Sequence, residues 1–475
     1  ISLNNKLYLF IFILNILAPI LMAQDRSALP KSDQQIRVNE IYILGNKKTK
    51  EKIVLREMSL KKGTYSSRDK IEKSIESDKI NIINTNLFNT VSIDILEGPE
   101  DLSIDIFVKV DERWYFWPAP LIGIADRNLM DWLINREGDV NRFNYGLRLT
   151  QYNLGGQNQT LKFIGRVGFE RNLLVDYMIP FIDKNQKHGL GFIYLYSESE
   201  NAAYITKDHV PDFFDSDIIN KKVYFTSSRY TYRPSFYNFH KISVNYLQSE
   251  VSDTIVYLNP NYHFNQEKKQ SYLGLSYNFI SDHRNNKRFA TSGTFLEASL
   301  ENIGIGHRDQ LNLSNTSLKF NIYTPLGNDF FLANGIMGLY TFPAHQPYFN
   351  YQGLGYNEVL ARGFELALIE GSKFLLQKNT LRRKIFDHSK DIRNLMPISQ
   401  FAQFRMAAYF KLFADFAWVD NYPNYEISSR LTNQLLYSFG IGLDLVAMYD
   451  MVLRLEYSYN SENERNFALN IKADL

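Results

Sequence analysis

A short segment, Arg362-Gly363-Phe364, combines residue types that can dock a loop onto a charged surface. It lies in a long connection, residues 342–371, that carries further glycines on both sides. An arginine guanidinium can bind a carboxylate through two parallel hydrogen bonds, and a glycine lets the backbone turn tightly beneath it. From the residues alone two interpretations stay open: Arg362 docks against an acidic partner, or it is an ordinary loop arginine that meets water.

Motifs of catalysis and cofactor binding are missing from the chain. It contains no G-x-x-x-x-G-K-[ST], H-E-x-x-H or G-x-S-x-G segment, and its eight histidines are scattered. It has no cysteine, which excludes a disulfide framework and any thiolate metal site. We therefore predict a protein that is not an enzyme and that has no cofactor and no metal site.

The elements that must position Arg362 belong to a chain of 475 residues with an aromatic content of 15%. Its mean hydropathy of −0.29 excludes a bundle of transmembrane helices. A transmembrane β-barrel accepts many aromatic rings at low mean hydropathy, because lipid-facing and lumen-facing residues alternate along each strand. The 53 basic and 51 acidic residues give a formal charge of +2, so the composition indicates no nucleic-acid partner.

Residues 113–475 alternate between apolar and polar side chains over many stretches, including 242–246, 273–279, 296–300 and 467–475. A soluble β-sandwich would show the same alternation. The aromatic content and the expected export favour a transmembrane antiparallel β-barrel of about 16 strands, which makes the chain mainly β. We interpret residues 251–268 as an external loop rather than a further strand. The other long connections are 199–218, 342–371 and 386–402.

One late strand, residues 409–419 (YFKLFADFAWV), carries charges on a single face. Because side chains of a strand alternate between two faces, Lys411, Phe413, Asp415 and Ala417 are expected to point into the lumen. The intervening large apolar side chains then face lipid. Asp415 is therefore a lumen-facing carboxylate by periodicity alone.

The N-terminus predicts export. Residues 7–23 form the one long apolar run, which is shorter than the roughly 20 residues that a membrane-spanning helix needs. We predict a signal peptide over residues 1–23 and a polar linker over residues 24–35. The alternative is an uncleaved anchor helix.

Residues 36–112 predict one small α/β domain with the order β-α-α-β-β. Residues 36–44, 91–95 and 102–110 alternate with period two, and residues 49–58 and 68–83 have apolar residues at helical spacing. A three-stranded sheet of this kind has open edges. An open edge can accept an extended client strand through main-chain hydrogen bonds.

This segment resembles a POTRA domain, the periplasmic module of outer-membrane assembly and two-partner-secretion transporters. The residues that carry the resemblance are Gly45-Asn46, Thr49, Arg56-Glu57, Gly63, Leu87-Phe88, Val91 and Val110-Asp111-Glu112. Residues 153–157 (NLGGQ), then 282–284 (DHR) and 291–293 (TSG), are similar to barrel turns of the same family and occur in the same order. The chain thus resembles the bacterial outer-membrane protein assembly factor superfamily (BamA/TamA-like, "bacterial surface antigen" barrel) with one POTRA domain.

The resemblance also assigns roles to the motif. It implies that Arg362-Gly363-Phe364 is the tip of a signature loop that folds back into the lumen. The implied docking partner is an F-x-D position, here Phe413 and Asp415. The family usually has glycine two residues after the aspartate, and this chain has Ala417 instead.

The first barrel strand, residues 113–121 (RWYFWPAPL), contains Pro118 and Pro120. Proline cannot donate a hydrogen bond to a neighbouring strand and is confined to edges and bulges. The seam that this strand forms with the last strand, residues 466–475, should therefore lack hydrogen bonds at those two positions. The resemblance implies that such a seam opens to admit client strands. Alternatively, both prolines lie in a linker below the membrane, with Trp114 and Trp117 as interface anchors.

The predicted function is assistance with insertion, assembly or translocation of client polypeptides at the outer membrane of a Gram-negative bacterium, with the POTRA domain in the periplasm. The expected partners are outer-membrane lipids, unfolded client polypeptides and periplasmic accessory proteins that bind the POTRA domain; no nucleic acid is expected. Two alternatives stay open: a passive pore or structural barrel, and a dedicated secretion transporter for one partner protein.

Overall fold

The computed structural model describes residues 35–125, 129–305, 311–357, 359–396 and 398–471. The predicted signal peptide and all but the last residue of the predicted linker lie outside the described residues. Within the described part, no helix combines the length and the apolar character that a membrane crossing requires.

The N-terminal domain is a four-stranded sheet packed against two helices. Its elements are β1 (Gln35–Leu44), helix Glu51–Arg56, β2 (Tyr65–Ser67), helix Arg68–Ile83, β3 (Phe88–Glu97) and β4 (Ser103–Glu112). The sheet order is β2-β1-β4-β3, and β1 runs parallel to β4. Val38, Ile82 and Val108 are fully buried in its core. The expected order lacked β2, because three residues are too few to show a period-two pattern.

The rest of the chain is dominated by one large sheet. The strands after β4 are β5 (Phe116–Ile124), β6 (Phe143–Leu154), β7 (Gln159–Gly168), β8 (Glu170–Ile179), β9 (His188–Ser199), β10 (Ala202–Lys207), β11 (Val210–Phe214), β12 (Lys221–Tyr232), β13 (Asn238–Val251), β14 (Lys269–Asp282), β15 (Gly293–Ile303), β16 (Leu313–Gly327), β17 (Phe330–Phe342), β18 (Gly353–Leu354), β19 (Ile369–Glu370), β20 (Lys373–Asp391), β21 (Gln403–Asp420), β22 (Leu436–Ala447), β23 (Val452–Asn460) and β24 (Arg465–Ile471). Two pairs, β10–β11 and β18–β19, stand apart, and the other sixteen follow one another in sheet order from β5 to β24. The expected mainly β fold with about 16 barrel strands is thereby confirmed.

Side chains of the barrel strands alternate between an outer and an inner face. On β21, Phe410 and Leu412 are 42% and 47% exposed, whereas Lys411 and Asp415 are 2% and 1% exposed. Residues 251–268 add no strand to the barrel, since they contain only the end of β13, the short helix Asp253–Leu258 and one helical turn. The end of the barrel next to the N-terminal domain is called the proximal end, and the opposite end is called the distal end.

Connections at the distal end fold over the barrel and pack on one another. One buried cluster joins four of these segments: the β10–β11 hairpin, the helix Asp253–Leu258, the β17–β20 connection and the segment after β21. Its aromatic members are Tyr262, Tyr348, Tyr351, Tyr422 and Tyr425. The Tyr351 and Tyr422 rings stack with their centroids 3.9 Å apart. We call this assembly the distal cap.

Two buried histidines fasten the distal cap. The His209 Nε2 accepts a hydrogen bond from the Leu431 N–H (2.9 Å), and its Nδ1 lies 3.2 Å from the Leu368 carbonyl oxygen. The His263 ring bridges the Ser249 Oγ and the Glu267 carbonyl, both at 3.0 Å. Burial lowers the pKa of both imidazoles, to about 4 for His263. Both rings are therefore neutral at neutral pH, and the His209 contact requires the neutral form because its Nε2 accepts the Leu431 N–H.

The N-terminal domain is docked on the proximal turns of the barrel. Glu57 of the domain accepts two hydrogen bonds of 2.7 Å from the Arg233 guanidinium in the β12–β13 turn. The Asn153 side chain, beside the β6–β7 turn, donates to the Thr49 Oγ1 at 2.8 Å. Both carboxylate and guanidinium are largely buried, which makes the Glu57–Arg233 pair sensitive to loss of either partner.

Candidate functional site

The β17–β20 connection places Arg362 against the inner wall of the barrel, where it meets Asp415 of β21. The Arg362 Nε and its backbone N–H both donate to the Asp415 Oδ2, at 2.9 and 3.1 Å, and Nη2 donates to Oδ1. The two side chains are 8% and 1% exposed, so the pair is shielded from water. The structure thus brings together the two residues that the resemblance linked, in the bidentate geometry that guanidinium and carboxylate favour.

Neighbouring residues complete the surroundings of the guanidinium. The Arg362 Nη1 donates to the Thr380 Oγ1 at 3.0 Å, and the Arg362 Cζ lies 4.1 Å from the centre of the Phe413 ring. The Glu456 carboxylate of β23 is 3.9 Å from Nη1. A cation over an aromatic face gains electrostatic energy, and more so away from water. Phe413 and Asp415, neighbours on the inner face of β21, therefore hold Arg362 together.

Gly363 lets the loop turn where a larger residue would not fit. Its φ is +83°, and a Cβ at this position would lie 2.9 Å from the Ser438 Cβ. Its carbonyl accepts hydrogen bonds from the side chains of Asn460 (2.7 Å) and Asn466 (2.8 Å). The loop tip is thereby attached to β23 and β24, the last two strands of the barrel.

Phe364 anchors the other side of the loop tip. Its side chain is 5% exposed and belongs to an apolar cluster with the inner-face residues Leu376 and Ala417. The alanine at position 417, where the family usually has glycine, is accommodated as part of this cluster. Each motif residue therefore has its own contact: Arg362 binds a carboxylate, Gly363 is bonded to the last two strands, and Phe364 packs in an apolar cluster.

A second group of lumen charges lies beside the pair; the sequence analysis placed Lys411 of this group in the lumen but not its partners. Lys411 of β21 bridges Asp444 of β22 and Glu456 of β23, with 2.8 Å to the Glu456 Oε1. Arg382 of β20 approaches the Asp444 Oδ2 at 3.6 Å. Applying to β22 and β23 the same period-two argument used for β21 would have placed these carboxylates on the inner face. Glu456 is the link, because it faces both Lys411 and Arg362.

Two glycines on β22 make room for this group. A Cβ at Gly440 would lie 2.4 Å from the Phe413 ring, and one at Gly442 would lie 2.7 Å from the Lys411 Cε. Glycine weakens a strand interior and marks places where another group approaches closely. The β23 backbone is equally close, since the Tyr457 and Leu455 carbonyl oxygens would lie 2.3 and 2.7 Å from these two Cβ positions. Glycine at both positions therefore fits the side chains of β21 and the backbone of β23.

The seam between β5 and β24 is the second candidate element. In the described parts of these strands no ladder pairs one with the other. The Tyr152 N–H donates to the Tyr115 carbonyl and the Ala125 N–H donates to the Arg142 carbonyl, so odd-numbered residues of this strand bond to β6. In an antiparallel pair the intervening residues point their backbone groups the other way. Pro118 and Pro120 therefore lie within β5 and remove two donors from the edge that faces β24.

Comparison with known proteins adds family relationships to this geometry. A family model described as "Surface antigen variable number repeat" (POTRA) matches residues 36–113. A second, described as "Omp85 superfamily domain", matches residues 153–471, about two thirds of the chain.

A curated protein of Treponema pallidum (strain Nichols), described as "Putative outer membrane protein assembly factor", is 34% identical over 80 residues. That match covers 17% of this chain and 9% of the relative, so it spans about a tenth of the relative's length.

Two solved structures share the architecture. The structure of BamA from Haemophilus ducreyi lacking POTRA domains 1–3 has a TM-score of 0.50 at 17% identity, over 92% of this chain and 83% of that chain. CdiB from Escherichia coli has a TM-score of 0.56 at 11% identity, over 92% of this chain and 74% of that chain. At these identities the likeness concerns the fold.

Proposed function

Because this chain belongs to the Omp85 superfamily, we propose that it assists the insertion, assembly or translocation of client polypeptides at the outer membrane. The barrel lies in the outer membrane and its POTRA domain in the periplasm, so the proximal end is periplasmic and the distal end extracellular. An extended client would bind the POTRA domain first and then enter the membrane along the seam.

The seam between β5 and β24 carries this proposal. A barrel strand in lipid must have its backbone groups paired, because the hydrocarbon offers no other partners. An edge that lacks a strand partner, and that carries two prolines, costs less to separate than a continuous ladder. Such an edge can accept a client strand by strand addition.

The POTRA domain offers a matching edge on β3. The Gly98 N–H donates to the Ser103 carbonyl, so even-numbered residues of this strand bond to β4. Backbone groups of Val91, Ile93 and Ile95 consequently face the outer side of the sheet. Among the described strands β3 pairs with β4 alone. Its outer edge is therefore available to an extended client.

The motif loop serves as the internal support of the seam in this proposal. Arg362 is held on β21, and the Gly363 carbonyl is held by Asn460 of β23 and Asn466 of β24. The last strands therefore keep their positions even though, within the described residues, no ladder joins β24 to β5. The distal cap lies at one end of the barrel and the POTRA domain is docked on turns at the other, an arrangement that favours the assembly function over a passive pore.

The test measures folding of an unfolded outer-membrane barrel client into liposomes that contain the full chain. We expect faster client folding than in empty liposomes, and a several-fold loss of that acceleration for Ile95→Pro. This substitution removes an outward N–H of β3 and spares the bonds to β4, whereas Ile95→Val, the matched control, keeps that N–H. If the wild-type chain conducts ions but leaves the client's folding rate unchanged, the assembly function is wrong and the passive barrel replaces it.

A further inference from the structure

Three aromatic side chains meet at the periplasmic end of the seam. Trp117 lies on β5, Phe401 in the turn between β20 and β21, and Tyr449 in the turn between β22 and β23. The Trp117 ring stands edge-on to both partners, with centroids 5.8 Å from Phe401 and 5.1 Å from Tyr449. The Phe401 and Tyr449 rings are 5.2 Å apart. These three residues are called the aromatic clasp.

Hydrogen bonds reinforce the aromatic clasp. The Trp114 N–H donates to the Tyr449 Oη at 3.2 Å, and that hydroxyl donates to the Gln400 carbonyl at 3.1 Å. The Arg113 guanidinium lies 5.4 Å from the centre of the Tyr449 ring. The base of β5 is thus held to turns of the last strands by side chains.

The position of Trp117 distinguishes it from a lipid-interface anchor. Its neighbours Phe116 and Pro118 are exposed on the outer face of β5. Because side chains alternate along a strand, Trp117 lies on the opposite, inner face. Interface aromatics face the headgroups, so a membrane-anchoring role does not explain this residue.

The POTRA domain touches the same place. The Asn89 side chain of β3 donates to the Gln400 carbonyl at 2.9 Å and to the Asp111 Oδ2 at 3.1 Å. The β3–β4 register shifts between Phe88 and Thr90, so Asn89 occupies a bulge. The Gln400 carbonyl therefore receives hydrogen bonds from both the POTRA edge strand and the aromatic clasp.

We propose that the aromatic clasp is the positioning element of the seam: it holds β5 beside the last strands through side chains and leaves the backbone edge free for a client strand. This proposal rests on the proposed function and specifies how its seam is controlled. When β5 moves away from the last strands, Trp117 must leave both rings, so the clasp opposes opening. A ladder would oppose opening too, but it would use the N–H and C=O groups that strand addition needs.

Phe401→Leu and Tyr449→Leu test the proposal, because they remove a ring and keep an apolar side chain. Tyr437→Leu is the matched control, since Tyr437 and Phe439 form an aromatic pair on the outer face of β22, away from the seam. Phe401→Tyr keeps the ring and serves as the conservative variant. Heat-modifiable migration on gels establishes that each barrel has folded.

Two measurements follow the aromatic clasp independently of client insertion. The first is the frequency of large-conductance openings in planar bilayers. The second is Trp117 fluorescence in a background with Trp114→Phe, Trp132→Phe and Trp418→Phe, which removes the other three tryptophans and keeps the residue 114 backbone N–H. We expect both ring-removing variants to raise the opening frequency several-fold and to shift the emission to longer wavelength. Phe401→Tyr and Tyr437→Leu should stay close to wild type.

The outcomes separate the two proposals. If the ring-removing variants change neither opening frequency nor emission more than Tyr437→Leu does, the aromatic clasp does not position the seam and the inference is wrong. If they change both while even the wild-type chain fails to accelerate client folding, the clasp stands and the proposed function falls. If they change both and also alter the rate of client folding, both proposals are supported.

Discussion

The Asp415 carboxylate binds Arg362 twice through a single oxygen, since the backbone N–H and the side-chain Nε of Arg362 both donate to Oδ2. The other oxygen accepts from Nη2. One carboxylate therefore fixes both the main chain and the side chain of a loop tip that the sequence separates from it by 53 residues. The pair thereby attaches the β17–β20 connection to the barrel wall through both its main chain and a side chain.

Asp415→Asn should release the loop tip. The substitution keeps the shape of the side chain and removes its charge, so the buried guanidinium loses its bidentate partner and retains only the Glu456 carboxylate, 3.9 Å from Nη1. Loss of one partner of a buried pair costs about 3–5 kcal/mol. We expect faster proteolysis within residues 342–371 and more frequent channel openings. Arg362→Lys should give a similar but smaller effect, because lysine cannot form the bidentate contact.

A double-mutant cycle measures the pair itself. The losses of stability caused by Arg362→Ala and by Asp415→Ala should together exceed the loss caused by the double variant. The reason is that the second substitution removes a charge that the first left unpaired. Thr226→Ala, on the distant strand β12, is the additive control for either change. Strict additivity between Arg362→Ala and Asp415→Ala would show that the two residues act separately.

Gly363→Ala should be more harmful than an alanine at another glycine with the same backbone conformation. Gly327, in the β16–β17 turn, has a φ of +85° and open space around its Cβ position, whereas Gly363 has a φ of +83° and the Ser438 Cβ at 2.9 Å. Both changes incur the cost of positive φ, about 1–2 kcal/mol. Only Gly363→Ala adds a clash, worth about 1–3 kcal/mol. Thermal unfolding in detergent, monitored by gel migration, compares the two variants; equal losses would contradict the close packing at Gly363.

Residue types and period-two alternation predict part of this site from the sequence, but not all of it. Asp415 was placed in the lumen by period two alone, and the same reasoning, extended to β22 and β23, reaches Asp444 and Glu456. The pairing of Arg362 with Asp415 required the family resemblance, because no local pattern says where a loop arginine docks. Contacts such as Leu431 N–H to His209 join distal loops that have no periodicity, so the distal cap was not predictable from the sequence.

Glu57→Gln should undock the POTRA domain from the barrel. The Glu57 and Arg233 side chains are 4% and 13% exposed, and their pairing is bidentate. Removing the charge leaves Arg233 buried without a counterion, at a cost of roughly 3 kcal/mol. Glu100→Gln, which breaks the exposed pair with Arg37, is the control and should cost less than about 1 kcal/mol. Cross-linking between the domain and the β12–β13 turn measures docking, and equal yields for both variants would count against this contact.

The distal cap should loosen as the pH falls. The unfolded-state pKa of a histidine is about 6.5, and in the folded chain the pKa of His263 is lowered to about 4. The unfolded form therefore binds more protons between these values. The stabilisation from the neutral ring is fully present above about pH 6.5 and is lost progressively down to about pH 4, by on the order of 3 kcal/mol. Hydrogen exchange of residues 252–268 as a function of pH measures it, and His263→Gln should flatten the profile if this imidazole is the cause.

Replacing both seam prolines should close the seam. Pro118→Ala with Pro120→Ala restores two N–H donors on the side of β5 that faces β24, without touching the ladder to β6, which uses the odd-numbered residues. Each new hydrogen bond contributes about 0.5–1.5 kcal/mol to the closed state. Two such bonds would lower the opening frequency about fivefold or more. Pro325→Ala, at the end of β16 and away from the seam, is the control and should leave opening unchanged.

Because the restored donors also occupy the edge that a client strand would use, client folding should slow together with channel opening. Slower opening with unchanged client folding would mean that clients enter the membrane by a route other than the β5 edge.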